Sequence, residues 1–298
     1  MRIVVAGASG FVGRPLVEHL RGHGHQVLRL VRDPGQVADA EAALWDPAAG
    51  TLDPGLVEGA DAVVNLCGQG IGDRRWTARV KRALRISRLE PTALLARIIA
   101  GARRPPRVLV NASAVGLYGD RGDEVLAEGS PAGQGFLAEL TRDWEAAALT
   151  ARSERTRVVL VRMAMVVGRG GAVGRMLLPF RLGLGGPVGS GRQWWPWIAL
   201  EDAARGIGFV LEHPEADGPF NLVSPVEVRC RDFARALGRA LGRPALLPLP
   251  GLAARLALGE MAGPLLLASA RVRPAALLGF GFEHRRAALE DALRAAVG

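Results

Sequence analysis

Only two cysteines, Cys67 and Cys230, occur in 298 residues. Two thiols are too few for a disulfide framework or a four-cysteine metal site, and neither HExxH nor CxxC spacing occurs. Reduced thiols and no bound metal are expected. Long hydrophobic runs are also missing. No stretch of about 18 uncharged apolar residues is present, and Met1 leads directly into a strand pattern rather than into a basic segment with an apolar leader. These absences predict a cytoplasmic protein without a membrane partner. Lysine is confined to Lys81, so the formal charge of +9 rests almost wholly on arginine. The basic residues are spread along the chain among acids, and no arginine cluster alternates with base-stacking aromatics. No nucleic-acid partner is expected.

What is present is a chain that is 49% hydrophobic and long enough for one large domain or two smaller ones. Its clearest local signal is at the start. RIVVA (2–6) is a short β-branched run suited to a buried strand. GASGFVG (7–13) follows at once, and the next segment carries Val12, Leu16, Val17 and Leu20 at helical spacing. In a strand, glycine turn and helix of this kind, Gly7 permits the tight turn and Gly10 lets a pyrophosphate approach the backbone. Gly13 lets the helix pack on the sheet, while the helix start offers free N–H groups. The spacing is GxxGxxG rather than GxGxxG.

The next strand, QVLRLV (26–31), ends at Arg32-Asp33-Pro34. A carboxylate there would hydrogen-bond a ribose 2′-hydroxyl and an arginine would meet a 2′-phosphate. Arg32 comes first after the strand and Asp33 faces the other way, so NADP(H) is favoured over NAD(H). Further strands are read at 60–68, 106–114 and 157–168, with a long amphipathic helix over 73–100. Strands alternating with helices predict a Rossmann-type doubly wound parallel sheet of the α/β class. Its ligand crevice lies beyond the carboxyl ends of the strands.

Beyond residue 164, helices are read near 200–213 and 229–242 and strands at 219–223 and 245–250. A pair of short apolar helices broken at Gly263-Pro264 follows. The expected organisation is a dinucleotide-binding part over 1–164, with returning elements near 199–225, and a smaller α+β carboxyl-terminal substrate lobe over 165–298. Trp194, Trp195 and Trp197, with Arg192, follow a glycine-rich loop (183–191). They read either as a lid over a substrate or as a wedge between the two parts. Trp76 and Arg74 open the long helix and can line the same pocket.

GASGFVG, NLCGQGIGDRRW, SRLEPT, NASAVGLYGDRGDE, MLLPFRLGLGGPVGSGRQWWPWI and LPLPGLAARLALGEMAG occur in this order. In that run the chain resembles the extended short-chain dehydrogenase/reductase superfamily, and within it the epimerase-like proteins that end in a small domain of unknown function. The resemblance implies an NADP(H) site lined by Gly7, Ala8, Ser9, Gly10, Phe11, Val12, Val31, Arg32, Leu66, Cys67, Gly68, Gln69, Arg88, Ala112, Ser113 and Ala164. It implies a substrate pocket near Trp76, Tyr118, Arg192, Trp195 and Trp197.

Active members of the superfamily carry Tyr-x-x-x-Lys at the start of a helix, where the phenol moves a proton and the lysine lowers its pKa. Here GQGFLAELTRDWE (133–145) offers Phe136 with Leu140, or Leu137 with Thr141, and neither pair transfers a proton. The upstream serine is displaced to Ser113, and the WIHxxD signature of this branch reads WIALED, with Ala199 in place of the imidazole. Tyr118, the sole tyrosine, is the remaining candidate acid, with Ser113 beside it; a packing role is the alternative. Glu128 and Asp143 are weaker candidates, and Cys67 is expected to line the pocket as a small apolar residue. The expected function is an NADP(H)-dependent oxidoreductase acting on a small carbonyl or alcohol, as monomer or homodimer. The alternatives are a non-catalytic coenzyme-binding sensor or scaffold and, less favoured, a nucleotide-sugar epimerase.

Overall fold

A computed structural model describes residues 1–37 and 41–298. Its strands in chain order are β1 (Arg2–Ala6), β2 (Gln26–Val31), β3 (Ala42–Leu44), β4 (Ala62–Asn65), β5 (Val108–Ala114), β6 (Val125–Leu126), β7 (Arg157–Met163), β8 (Met165–Val167), β9 (Trp197–Ala199), β10 (Gly218–Leu222) and β11 (Arg271–Val272). The helices are α1 (Gly13–Gly22), α2 (Ala78–Gly101), α3 (Phe136–Leu149), α4 (Gly171–Arg181), α5 (Leu200–Glu212), α6 (Cys230–Ala240), α7 (Gly251–Leu258), α8 (Ala275–Gly279) and α9 (Leu289–Val297). Among the described residues, no helix is long and apolar enough to cross a membrane.

Seven strands form one parallel sheet in the order β10-β7-β5-β4-β1-β2-β3. The order reverses between β1 and β4, whose registers meet at Ala6 and Asn65. Successive side chains of a strand point to opposite faces, and β1 shows how both faces are covered. Ile3 and Val5 join Leu16, Leu20 and Ile207 from α1 and α5 in one apolar cluster. Val4 and Ala6 join Leu94, Leu95 and Ala148 from α2 and α3 in another. Burial on both sides is why these strands read as continuous β-branched runs.

Three boundaries depart from the sequence reading. The run 157–168 is two strands, because the chain changes partner at Ala164: the Ala164 amide still donates to the Leu222 carbonyl, whereas Met165 donates to Pro196. β8 then pairs with β9 outside the large sheet. The long helix begins at Ala78 rather than near 73. The Thr77 hydroxyl accepts from the Val80 amide at 3.2 Å, and the Trp76 indole donates to the Ile71 carbonyl at 2.9 Å, holding 71–76 as a loop. The stretch 245–250 is not a regular strand, because Pro248 and Pro250 supply no N–H. It makes only backbone contacts such as Leu249 N to Pro187 O at 2.9 Å.

A buried ionic hub ties the sheet to the rest. Arg162, inside the apolar strand β7, forms a two-pronged pair with Glu145 of α3 at 2.8 and 2.9 Å. Its remaining nitrogen donates to the Tyr118 hydroxyl at 3.0 Å and to the Glu128 carbonyl at 2.9 Å. The Ser113 hydroxyl donates to Glu145 at 2.5 Å. Removing one partner of such a pair strands the other charge. Glu145→Ala is therefore expected to lower unfolding stability by about 3–5 kcal/mol, read as a fall in the urea midpoint; an unchanged midpoint would show that the hub is dispensable.

Candidate functional site

The turn after β1 is shaped by close approach. Gly7 has φ of 78°, and a Cβ on it would lie 2.8 Å from the carbonyl carbon and oxygen of Leu66, just past β4. A Cβ on Gly13 would collide with the Gly7 carbonyl oxygen. Only hydrogen fits at both positions, so the turn and the start of α1 lie tight against the end of β4. Ala8 is buried below the turn, whereas Ser9 and Gly10 are exposed. No side chain caps the start of α1; within the turn the Gly10 amide donates to the Gly7 carbonyl at 3.0 Å and the Arg14 amide to the Gly10 carbonyl at 3.1 Å.

The Phe11 ring is held in a socket of glycines. Cβ atoms on Gly168, Gly170 and Gly171 would lie 3.1, 3.5 and 2.9 Å from its carbons. This contact, which joins the turn to the start of α4, was not read from the sequence, although GRGG (168–171) was the available signal.

At the end of β2, Val31 is buried and Arg32 exposed. The Asp33 carboxylate is taken up locally, accepting from the Gly35 amide at 2.9 Å. Arg32 is near enough to favour the Cys67 thiolate, yet burial dominates and pushes that thiol up to about 12. Past β4, Leu66, Cys67, Gly68 and Gln69 run along the crevice. Arg88 of α2 backs them, donating to the Gln69 carbonyl at 3.0 Å and lying over the Trp144 ring. Burial lowers its guanidinium to about 10. Ala112 and Ser113 lie near the end of β5, and Ala164 follows β7. The sheet register thus aligns all of these segments along one carboxyl edge.

The helix that should carry a tyrosine and a lysine is α3, and its register is visible. Leu137 lies against Gly116 beyond β5, where a Cβ would be 3.3 Å away, and Thr141 is buried, its hydroxyl donating to the Leu137 carbonyl at 2.8 Å. Phe136 and Leu140 turn toward α2. Phe136 stacks edge-on against Trp76 with centroids 5.1 Å apart. Leu137, Phe136, Trp76, Leu140, Met261 and Leu265 form one apolar cluster. No acid or base stands where the superfamily's pair would be.

Tyr118 is fully enclosed. Its hydroxyl donates to Asn221 Oδ1 at 2.8 Å while accepting from Arg162, and burial raises its pKa above the ordinary phenol value despite the arginine. Ser113 is equally buried and committed to Glu145. In this geometry the proton of each hydroxyl already has an internal acceptor. Glu128 accepts from the Asn221 and Ala276 amides at 3.0 and 3.1 Å, and Asp143 pairs with Arg85. Asp202 of WIALED is buried and accepts from the Arg285 and Arg286 amides at 2.9 Å, tying the carboxyl-terminal segment to α5.

The tryptophans after the glycine-rich loop are not a lid. Trp195 and Trp197 are buried in a cluster with Phe233 and Val228, their indoles donating to the Leu266 and Val226 carbonyls. Trp194 has the Arg229 and Arg271 guanidiniums over its ring and donates to Asp123 at 2.7 Å. Arg192 is exposed beside that group, its carbonyl bonded to Arg229. Of the expected pocket residues, only Trp76 joins the apolar cluster around Leu137. Sequence reading also missed Glu145 and Arg162, although an arginine inside RVVLVRMAMVV was itself the signal of a buried charge needing a partner.

A parallel sheet whose order reverses at a glycine turn defines a doubly wound protein of the Rossmann type. The chain belongs to the NAD dependent epimerase/dehydratase family, whose model matches residues 3–223, and a domain of unknown function, DUF1731, matches residues 249–296. An epimerase family protein of Mycobacterium leprae is 43% identical over 292 residues, covering 98% of this chain and 94% of the relative. The crystal structure of human epimerase family protein SDR39U1 with NADPH is 38% identical, with a TM-score of 0.90 over 99% of both chains. UDP-glucose 4-epimerase of Thermotoga maritima is 16% identical, with a TM-score of 0.78 over 100% of this chain and 97% of that one. It shares the fold.

Because Tyr118 is the only tyrosine, tyrosinate absorbance reports it alone. A phenol whose folded pKa is raised stabilises the fold below its unfolded value and loses that contribution as pH rises past it. The native protein is expected to show little tyrosinate at pH 10, where the urea-unfolded chain is about half ionised. Equal titration of the two forms would place the hydroxyl in water. Burial likewise raises Cys67 to about 12 and Cys230 to about 11. Both thiols should resist alkylation at pH 8 in the native protein and react once it is unfolded.

Proposed function

We propose that this chain binds NADP(H) in the crevice between β1 and β4 and holds it without a proton-transfer pair. The observation that carries the first half is the turn in which Gly7 and Gly13 tolerate only hydrogen, set against a helix start with no side-chain cap. That cradle fits a pyrophosphate. Arg32, exposed with Asp33 turned away to its own loop, fits a 2′-phosphate better than a bare hydroxyl. The bound NADPH of the human relative supports the same reading. The coenzyme falls to the first 164 residues and the elements returning to their sheet, and the remainder forms the lobe that faces its nicotinamide end.

A bound nicotinamide coenzyme supplies hydride chemistry. The residues of this chain would supply position: the Gly7–Val12 backbone for the phosphates, Arg32 for the 2′-phosphate, and Leu66–Gln69 backed by Arg88 for the adjoining ribose. Leu137 and Thr141 stand where a phenol and an ammonium would transfer the proton, and Tyr118 is sealed. A coenzyme-responsive sensor or scaffold fits this geometry best. A slow NADP(H)-dependent oxidoreductase on a small carbonyl, taking its proton from water, is the second reading. It is favoured by the Trp76–Phe136 pair, which offers an apolar wall of two edge-on rings.

A ligand that binds only the folded state raises its stability by about 2.7 kcal/mol at a hundred times its dissociation constant. NADPH is therefore expected to raise the melting temperature more than NADH, and Arg32→Asp should reverse the order. Stronger protection of the wild type by NADH would overturn the role given to Arg32. NADPH oxidation with a panel of small carbonyls separates the two readings: no turnover supports the sensor, and turnover that survives Tyr118→Phe supports a proton taken from water.

A further inference from the structure

The exposed apolar side chains are concentrated in one part of the molecule. Leu178 of α4, with Leu182 and Leu184 just after it, is more than half exposed. So are Leu246 and Leu247 and, on one face of α7, Leu252 and Leu256, the last two at 72 and 71%. These segments are neighbours. Leu247 N donates to Gly185 O at 3.3 Å and Gly189 N donates to Leu249 O at 2.9 Å. Gly251, which opens α7, lies against Gly189. Exposed leucines gathered to this degree on adjoining segments are uncommon on a protein that meets only water.

The charge around it has one sign. The sequence has no Asp or Glu from 155 to 200 or from 233 to 259. Arg181, Arg243 and Arg255 lie within these segments and are exposed, and among the described residues none of them has an acidic partner. Elsewhere most acids are taken up by arginines, as in the Arg271 and Arg273 clamp on Glu227. A second copy of the chain is a poor occupant, since an isologous contact would bring the unpaired arginines together with no carboxylate to receive them. The leucines stand out from a helix and turns and need no matching pocket if the receiving phase is fluid. Long arginine stems can lie along such a phase while their heads stay at a polar surface.

We propose that this face, formed by the end of α4, residues 182–184, residues 245–249 and α7, rests on an anionic phospholipid surface. The leucines enter the acyl boundary, and Arg181, Arg243 and Arg255 meet the headgroup phosphates. No spanning segment is needed for such a contact, and it stands apart from the coenzyme reading.

Sedimentation of the full chain with vesicles tests it, using phosphatidylcholine alone and phosphatidylcholine with about a third phosphatidylglycerol. Wild type should sediment with the anionic vesicles and stay in solution with the neutral ones. Leu252→Ser with Leu256→Ser leaves the net charge unchanged and should weaken binding at least about tenfold. Arg181→Glu, Arg243→Glu and Arg255→Glu together should do the same, whereas the charge-matched control Arg97→Glu, Arg142→Glu and Arg155→Glu should stay within about twofold of wild type. Melting curves confirm that each variant is folded. Wild type left in solution, or a leucine variant that sediments like wild type, overturns the proposal, the latter leaving only adsorption of a basic chain. So does a dimer in analytical ultracentrifugation that the leucine substitutions abolish, which would assign the face to a second copy.

Discussion

One charged side chain buried inside a parallel sheet sets the terms for much of this molecule. Arg162 sits on β7 among valines, where an unpaired guanidinium would be prohibitive. Its hydrogen bonds are met by Glu145 from the neighbouring helix, by Tyr118 and by the carbonyl of Glu128. Through Tyr118 the network reaches Asn221 on the edge strand, and Asn221 reaches the carboxyl-terminal Arg273 carbonyl at 3.0 Å. Satisfying one ion thus fixes the relative placement of α3, β5, β10 and the final third of the chain.

The same requirement engages two hydroxyls near the end of β5. A phenol and a hydroxyl that looked available for proton transfer are used up in solvating Arg162 and Glu145. The start of α3 adds neither an acid nor a base at Phe136 and Leu140 or at Leu137 and Thr141. Along the carboxyl edge of the sheet stand backbone, small and apolar residues and cations.

The legible parts of the sequence were those where a local rule and the tertiary structure agree. GASGFVG between a β-branched run and a helical stripe located β1, α1 and the turn, because close packing against Leu66 leaves no room for a side chain. The exposure of Arg32 just past β2 follows from the ending of that strand. The strand boundary at Ala164 was not legible, since MAMVV carries no mark of the change of partner from Leu222 to Pro196. Trp195 and Trp197 stayed open for a related reason: bulk after a glycine-rich stretch fits a flap and a packed wedge equally, and only tertiary neighbours distinguish the two. Tyr118 turned on long-range contacts to Asn221 and Arg162, which no spacing reveals.

The glycine socket around Phe11 has a mechanical meaning. Bare backbone at 168, 170 and 171 grips an aromatic ring that belongs to the first turn, leaving no compressible side chain between them. A shift of that turn by a fraction of an ångström must either carry the start of α4 with it or pull the ring from its seat. Since α4 carries Leu178 and runs on into Leu182 and Leu184, that ring seats the first turn against the root of the helix whose far end bears the greasy ledge.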